Sequence, residues 1–150
     1  MKYLRILAMA GLLAVLAGGG ALAETKLSEP KPSFENPRKI MLQLTTDDPS
    51  AINSILWNAI NLQKFYGIDN VQIAIIAYGT GMKALYAKES PVADRVRSQL
   101  KYGIEYVACA NTMETTHRTA GELISGVSVV TAGIAEIAER QLRGWIYVRP

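Results

Sequence analysis

The fold class of this chain follows from eight residues near its middle, Val71-Gln-Ile-Ala-Ile-Ile-Ala-Tyr78. They are almost continuously apolar and rich in β-branched side chains, which is typical of a strand buried on both faces of a parallel sheet. An earlier apolar run, Lys39-Ile-Met-Leu-Gln-Leu-Thr45, is bounded by Pro37 and by Asp47-Asp48-Pro49. Its length and composition predict a second buried strand.

Helical patterns alternate with these strands. Asp48 before Pro49 supplies an N-cap acceptor and a proline at the first helical position, so we predict a helix that ends near Tyr66. A second predicted helix opens at Ser90-Pro91. A third, from Thr131 to Arg143, carries an apolar stripe that we expect to face the sheet, made of Ile134, Ile137, Ala138 and Leu142.

Shorter strands are predicted at 104–108, 126–130 and 145–148. Strands and helices therefore alternate along the chain with short connections, which indicates an α/β fold. We expect a single three-layer domain with a mostly parallel sheet of about five strands and helices on both faces.

Composition excludes several classes of site. One cysteine and one histidine among 150 residues exclude a disulfide framework, a cysteine-rich metal site and a poly-histidine metal centre. The sequence has no phosphate-binding loop, and Gly79-Thr-Gly81 is too short for a dinucleotide fingerprint and predicts a turn. We therefore expect no metal and no cofactor. Residues 24–150 carry 14 basic against 13 acidic residues, so charge gives no case for a nucleic-acid partner.

Residues 1–23 have the three-part layout of a secretory signal. A short positive region is followed by an apolar run from Ile6 to Leu16 and by a small-x-small cleavage pattern, Ala21-Leu22-Ala23. The apolar run is shorter than the ~20 residues of a spanning helix, which disfavours an uncleaved membrane anchor. We expect a periplasmic protein (secreted where no outer membrane exists), with no membrane contact after cleavage. Residues 24–38 would form a proline-rich leader and residues 39–150 the domain.

Cys109 is the one residue whose type and place point to chemistry. A free cysteine is often a small buried apolar residue, and that interpretation stays open. Against it, an exported protein meets an oxidising compartment, and Cys109 lies at the predicted carboxyl end of a strand, where α/β proteins bind ligands. A helix predicted to begin at Asn111, with Glu114 as its capping-box partner, would direct backbone N–H groups at the sulfur and favour the thiolate.

Residues near the cysteine have structural as well as chemical interpretations. Asn111 and Thr112 could donate hydrogen bonds to sulfur, although helix capping is the favoured main role for both. His117 follows Cys109 by eight residues, about two helical turns or ~10 Å, so we expect an exposed or intersubunit histidine rather than a partner of the thiol. Glu114 and Arg118 are four residues apart and predict a surface ion pair.

The sequence around the cysteine resembles a known family. The resemblance is carried by four stretches: Tyr106-Val-Ala-Cys-Ala-Asn-Thr-Met113, Asp47-Asp48-Pro49, Val71 to Gly79, and the ending Gly144-Trp-Ile-Tyr-Val-Arg-Pro150. Together they are similar to the DsrE/DsrF-like family over about Lys39 to Pro150. The resemblance implies a compact α/β domain that assembles into trimers or hexamers.

Several members of that family relay sulfane sulfur, which they hold as a persulfide on a cysteine in this loop, whereas some members lack the cysteine. Carried over, the resemblance implies Cys109 as the catalytic residue, with candidate substrate-binding residues at Asn111, Thr112, Tyr78 and Gly79. The implied partners are a sulfur donor or acceptor protein or a small thiol. The best-known members are cytoplasmic, so their partners would not meet an exported protein.

Two functions therefore stand side by side at the level of sequence. The first is an exported sulfur carrier or sulfurtransferase that uses Cys109. The second is a non-catalytic oligomeric binding or assembly module of the same fold. A nucleotide or small-ligand binder is a weaker third hypothesis, because the chain has no phosphate-binding loop. Exposure of the thiol is the property that separates the first two.

Overall fold

The computed structural model of the chain describes residues 24–150, so the predicted secretory signal lies outside the described residues. Residues 24–37 form bends and extended chain without a helix or strand, and most of them are exposed. Within residues 24–150, none of the helices is long and apolar enough to cross a membrane.

A five-stranded sheet forms the centre of the domain, and all of its strands are parallel. The strands are β1 (Arg38–Leu44), β2 (Val71–Ala77), β3 (Ile104–Cys109), β4 (Ser128–Val130) and β5 (Ile146–Val148). Their order across the sheet is β4-β3-β2-β1-β5. The predicted α/β class is therefore confirmed, and the sheet is wholly rather than mostly parallel.

Four α-helices connect these strands, together with short 3₁₀ segments. The helices are α1 (Pro49–Tyr66), α2 (Ala93–Lys101), α3 (Ala110–Thr115) and α4 (Gly133–Leu142). The start of α1 is as predicted, because the Asp48 carboxylate accepts a 2.7 Å hydrogen bond from the Ala51 N–H. The predicted turn after β2 is a 3₁₀ helix, Gly79–Leu85.

The helices cover both faces of the sheet. Ile52 and Leu56 of α1 pack with Leu42 in the larger core cluster. Ile137 of α4 packs on the opposite face, against Met41 and other buried strand residues. The placement of helices on both faces follows from the strand order, because crossovers between parallel strands are right-handed. The connections from β1 to β4 run in one direction across the sheet and lie on one face. The connection through α4 runs back in the opposite direction on the other face and places β5 beside β1.

The change of face creates a crevice at the carboxyl end of the sheet. The connection after β3 leads into α3, whose Met113 belongs to the larger core cluster. The connection after β4 leads to α4 on the opposite face. Adjacent strands whose connections diverge in this way form the usual ligand-binding crevice of α/β sheets.

Two predicted helix starts were wrong. Helix α2 begins at Ala93 rather than at Ser90. The Ser90 hydroxyl donates to the Ala84 carbonyl at 2.6 Å and accepts from the Val92 N–H at 3.2 Å, so it ties a turn before the helix. Helix α3 begins at Ala110 with Cys109 in the N-cap position, so Asn111 lies inside the helix and does not cap it.

The predicted orientation of the last helix was also wrong. The residues of α4 that are buried are Gly133, Ile137 and Arg140, whereas Ile134 and Leu142 are 61% and 82% exposed. Arg140 turns towards the sheet because its guanidinium makes two hydrogen bonds, of 2.7 and 2.8 Å, to the Glu105 carboxylate on β3. An ion pair with a distant strand thus sets the rotation of the helix, and most of the apolar stripe faces outwards.

Candidate thiol site

Cys109 lies in the crevice at the carboxyl end of the sheet. It is the last residue of β3, it pairs with Val130 of β4, and it directly precedes α3. Its thiol is free, and the residue is only 5% exposed. The Cys109 N–H donates to the Met82 sulfur at 3.4 Å, which holds the strand end against the Gly79–Leu85 segment.

Hydrogen-bond donors from two helices converge on the Cys109 sulfur. Burial is the largest single influence and raises the pKa of the thiol. Hydrogen bonds from the Gly133 N–H, from the Thr112 hydroxyl and from the backbone of Thr112 and Asn111 outweigh burial, so the pKa lies below its ordinary value. Gly133 is the first residue of α4, where N–H groups have no partner within the helix and the dipole favours an anion.

Thr112 and Asn111, the two donors predicted from the sequence, act on the Cys109 sulfur in different ways. Thr112 acts through both its side chain and its backbone, and its hydroxyl also accepts a 3.1 Å hydrogen bond from the Gly79 N–H. That acceptance leaves the hydroxyl proton available to the sulfur. Asn111 acts through its backbone, which also donates to the Thr131 carbonyl at 3.0 Å, while the residue itself is exposed. Gly79 supports the site indirectly, through Thr112.

Gly133 was not singled out by the sequence, yet its lack of a side chain lets α4 approach the thiol. A Cβ atom at this position would lie 3.2 Å from the Tyr78 Cβ and 3.3 Å from the Cys109 Cβ. Contacts this short require the neighbouring side chains to move. Local sequence patterns could not reveal the role of Gly133, because that role depends on the packing of α4 against the ends of β2 and β3.

Tyr78 lies beside Gly133 and belongs to a polar chain that leads away from the thiol. The Gln43 amide donates to the Tyr78 hydroxyl and accepts from the Tyr147 hydroxyl. Burial raises the pKa of the Tyr78 phenol, and the nearby Tyr147 adds to this effect, while Arg149 opposes it without cancelling it. Tyr78 is therefore a neutral phenol at neutral pH and places no charge beside the sulfur.

A groove of about 220 Å³ adjoins the thiol. We call it the Lys83 groove. Its lining includes Asp47, Met82, Lys83, Tyr86, Thr112 and Arg118. Met82 and Thr112 both line the groove and both contact Cys109, Met82 at the backbone N–H and Thr112 at the thiol, so they lie between the groove and Cys109.

The Lys83 and Arg118 side chains of the groove both form ion pairs. The Lys83 ammonium lies 3.7 Å from the Asp47 carboxylate. Arg118 pairs with Glu89 at 2.8 Å and with Glu122 at 2.7 Å, so its predicted pairing with Glu114 was wrong. Local helical spacing missed these partners because α3 ends at Thr115, before Arg118.

His117 is exposed and has a left-handed backbone, with φ at 53°. Within residues 24–150, no group of three or more His, Cys, Asp and Glu side chains is placed to hold a metal ion. The donors around Cys109 favour its thiolate, and the thiol form donates to the Thr131 carbonyl at 4.0 Å.

Solved structures of other proteins show the same fold as this chain. The chain is 29% identical to the protein of unknown function MTH1491 from Methanobacterium thermoautotrophicum, with a TM-score of 0.72 over 75% of this chain and 99% of that one. It is 23% identical to the conserved protein of unknown function BT1422 from Bacteroides thetaiotaomicron, with a TM-score of 0.60 over 75% and 94% of the chains. The ychN protein from E. coli is 15% identical, with a TM-score of 0.63 over 75% and 99%.

These three neighbours have the DsrE/YchN-like fold, which agrees with the fold implied by the sequence resemblance. No family model matches the chain, and no curated protein matches it by sequence. The neighbours confirm the α/β architecture, while the chemistry has to be argued from the site itself.

Proposed function

We propose that this chain is a DsrE-like sulfur carrier or sulfurtransferase that holds sulfane sulfur as a persulfide on Cys109. One observation carries the proposal: Cys109 directly precedes α3 and lies against Gly133, the first residue of α4, so that backbone N–H groups at the starts of both helices face the sulfur and lower the pKa of the thiol. A thiolate, rather than a thiol, is the nucleophile in sulfur exchange. The same donors suit the negative terminal sulfur of a persulfide.

The reaction has two steps and needs no external oxidant or reductant. The Cys109 thiolate attacks the sulfane sulfur of a donor R–S–SH, forming Cys–S–SH and releasing R–S⁻ with the electron pair of the broken bond. An acceptor thiolate then attacks the terminal sulfur, and Cys109 leaves as the thiolate. Thiosulfate serves equally as a donor, with sulfite as the leaving group.

The low exposure of Cys109 protects its sulfur from oxidation but does not by itself favour sulfur transfer over a structural role. Oxidation of a thiolate follows its exposure, and Cys109 is only 5% exposed. A buried persulfide is therefore shielded from oxidants outside the cytoplasm. The neighbouring Lys83 groove offers a donor or acceptor a place beside the sulfur, separated from it by Met82 and Thr112.

The chain's location and assembly form part of the same proposal. We propose export through residues 1–23, which predicts that the mature protein begins at Glu24 and can be checked by sequencing its N-terminus from the periplasmic fraction. The partners are a sulfur donor and acceptor, protein or small thiol, together with further copies of this chain. The exposed Ile134 and Leu142 of α4 give such copies an apolar surface to contact.

A second candidate is a non-catalytic assembly module of the same fold. It is favoured by the same low exposure of Cys109, since a small buried cysteine can act only in packing. The two candidates differ in whether the sulfur accepts an atom from a donor.

Incubation of the purified protein with thiosulfate or polysulfide, followed by intact-mass measurement, distinguishes these candidates. Sulfur transfer predicts the gain of one sulfur atom, reversed by dithiothreitol and absent in Cys109→Ser. An assembly module predicts an unchanged mass in both proteins, with normal folding of Cys109→Ser. An unchanged mass of the wild-type protein with every donor tested would rule out the proposal.

A further inference from the structure

The Lys83 groove has features that the thiol chemistry alone does not require. Its volume of about 220 Å³ is smaller than the roughly 300–1,000 Å³ of sites for drug-sized ligands. A molecule that fits it is therefore small. Met82 and Thr112 lie between the groove and Cys109, so these two side chains separate a molecule bound in the groove from the sulfur.

The Lys83–Asp47 ion pair can open, so that each of its side chains pairs with a charged group of a ligand instead. The Lys83 and Asp47 side chains are 51% and 54% exposed, and their charged atoms are 3.7 Å apart. Exposed pairs of this kind contribute little to stability, so either member can turn to a ligand at small cost. Arg118, in contrast, is held by two carboxylates at 2.7 and 2.8 Å. The groove thus offers a ligand one exchangeable cation and one exchangeable anion.

The groove also contains a polar group that lacks a partner. Tyr86 is 5% exposed, and its buried hydroxyl forms no hydrogen bond with any other part of the chain described by the structure. The Arg118 guanidinium lies 4.0 Å from the centre of its ring. A buried hydroxyl without a partner is uncommon and points to a group that the protein itself does not supply.

We propose that the Lys83 groove binds a small α-amino-acid thiol as the acceptor of the sulfur held on Cys109. The inference rests on the proposed function and names the class of acceptor. The carboxylate of the acceptor pairs with Lys83, and its ammonium group pairs with Asp47. Its thiolate then reaches the persulfide past Met82, whose unbranched side chain can move aside.

The transfer is balanced within the two thiols. The acceptor thiolate forms a bond to the terminal sulfur of the Cys109 persulfide, and the bond between the two sulfurs of the persulfide breaks. Its electron pair stays with Cys109, which leaves as a thiolate. The product is the persulfide of the amino-acid thiol.

A comparison of two acceptors tests the proposal. Persulfide-loaded protein is mixed with cysteine or with 2-mercaptoethanol at equal thiolate concentrations, and loss of the extra sulfur is followed by mass. The wild-type protein should react faster with cysteine. Lys83→Gln and Asp47→Asn should each reduce that preference by about two- to fivefold, the size expected for ion pairs of half-exposed side chains.

Two matched variants control for the change of charge. Lys64→Gln and Asp69→Asn alter exposed residues outside the groove and should keep the full preference for cysteine. Equal rates with the two thiols in the wild-type protein, or an unchanged preference in Lys83→Gln and Asp47→Asn, would overturn the proposal.

A binding measurement separates this inference from the proposed function. S-methylcysteine keeps both charges but cannot accept sulfur, and calorimetry should detect its binding to the wild-type protein and weaker binding to Lys83→Gln. Persulfide formation without S-methylcysteine binding rejects the amino-acid site and leaves sulfur transfer standing. Binding without persulfide formation rejects sulfur transfer, and with it the acceptor role of the groove.

Discussion

At the Cys109 sulfur, burial and hydrogen bonding act in opposite directions on the thiol. Burial disfavours the thiolate, while donors from Gly133, Thr112 and Asn111 favour it and prevail. A lowered pKa means that the thiolate is present above that pKa and is lost as the pH falls through it. The pH dependence of any reaction at this sulfur therefore reports directly on the donors.

The Thr112 hydroxyl provides the cleanest test of those donors. Thr112→Val removes the hydroxyl, so the pKa of the Cys109 thiol should rise by about half a unit to one unit, the size expected for one hydrogen bond. The measurement is the rate of alkylation by iodoacetamide as a function of pH. Its midpoint should move to higher pH in Thr112→Val.

Thr115→Val is the matched control, because the Thr115 hydroxyl donates only to backbone carbonyls of α3. Its alkylation profile should coincide with that of the wild-type protein. A profile of Thr112→Val that also coincides with wild type would show that the hydroxyl does not act on the sulfur.

The unpartnered Tyr86 hydroxyl predicts a variant more stable than the wild-type protein. Tyr86→Phe removes a buried polar group that has no hydrogen bond, so the free energy of unfolding should rise by about 1 kcal/mol. Urea unfolding measures this change. Tyr106→Phe is the control, since the buried Tyr106 hydroxyl donates to Gln99 and its loss should destabilise the protein. Destabilisation by both substitutions would contradict this account of Tyr86.

At the scale of elements, local patterns predicted most of the secondary structure. Helix α1 and strands β2 and β3 lie close to their predicted bounds, because caps, glycines and apolar runs are local signals. The face of α4 was missed because Arg140 pairs with Glu105, 35 residues away in the chain. The start of α3 was missed because Cys109, which has no capping side chain, takes the N-cap position.

The approach of α4 to the thiol depends on Gly133. Gly133→Ala would place a methyl group 3.2 Å from Tyr78 and 3.3 Å from Cys109, so the first turn of the helix should move away from the sulfur. The pKa of the thiol should then rise, and stability should fall by about 1–3 kcal/mol from overpacking. The pH dependence of alkylation measures the change in the thiol pKa, and urea unfolding measures the loss of stability.

Gly121→Ala, a glycine substitution outside α4, serves as the control for Gly133→Ala. A Cβ atom at Gly121 would lie 3.9 Å from the Thr119 hydroxyl, an ordinary contact, so the substitution should leave the pKa of the thiol unchanged. An unchanged thiol pKa in Gly133→Ala would mean that α4 does not act on the sulfur.

At the scale of the whole molecule, topology places the thiol while the fold itself assigns no chemistry. The connections after β3 and β4 lead to opposite faces of the sheet, and Cys109 and Gly133 meet where they diverge. The sequence predicted the alternation of strands and helices and the place of Cys109 at a strand end. It did not predict Gly133 beside the sulfur or the Lys83 groove, because both depend on segments distant in the chain.

The outward-facing apolar residues of α4 predict assembly. Sedimentation velocity should show the wild-type protein as an oligomer, for which the resemblance to DsrE/DsrF-like proteins implies a trimer or hexamer. Leu142→Glu should shift it towards smaller species because it places a charge on a residue that is 82% exposed in the single chain. Leu27→Glu, in the segment before β1, should leave the assembly intact. A wild-type protein that sediments as a monomer at all concentrations would contradict the prediction.

The most direct measurement of the central claim follows one labelled sulfur atom through Cys109. The protein is loaded with thiosulfate labelled in its sulfane sulfur, digested and examined by peptide mass spectrometry, and a second sample is treated with cysteine before digestion. The account predicts the label on the peptide that contains Cys109, its transfer to cysteine in the second sample, and no label in Cys109→Ser. Label that is absent from Cys109, or that stays on the protein in the presence of the acceptor, would contradict it.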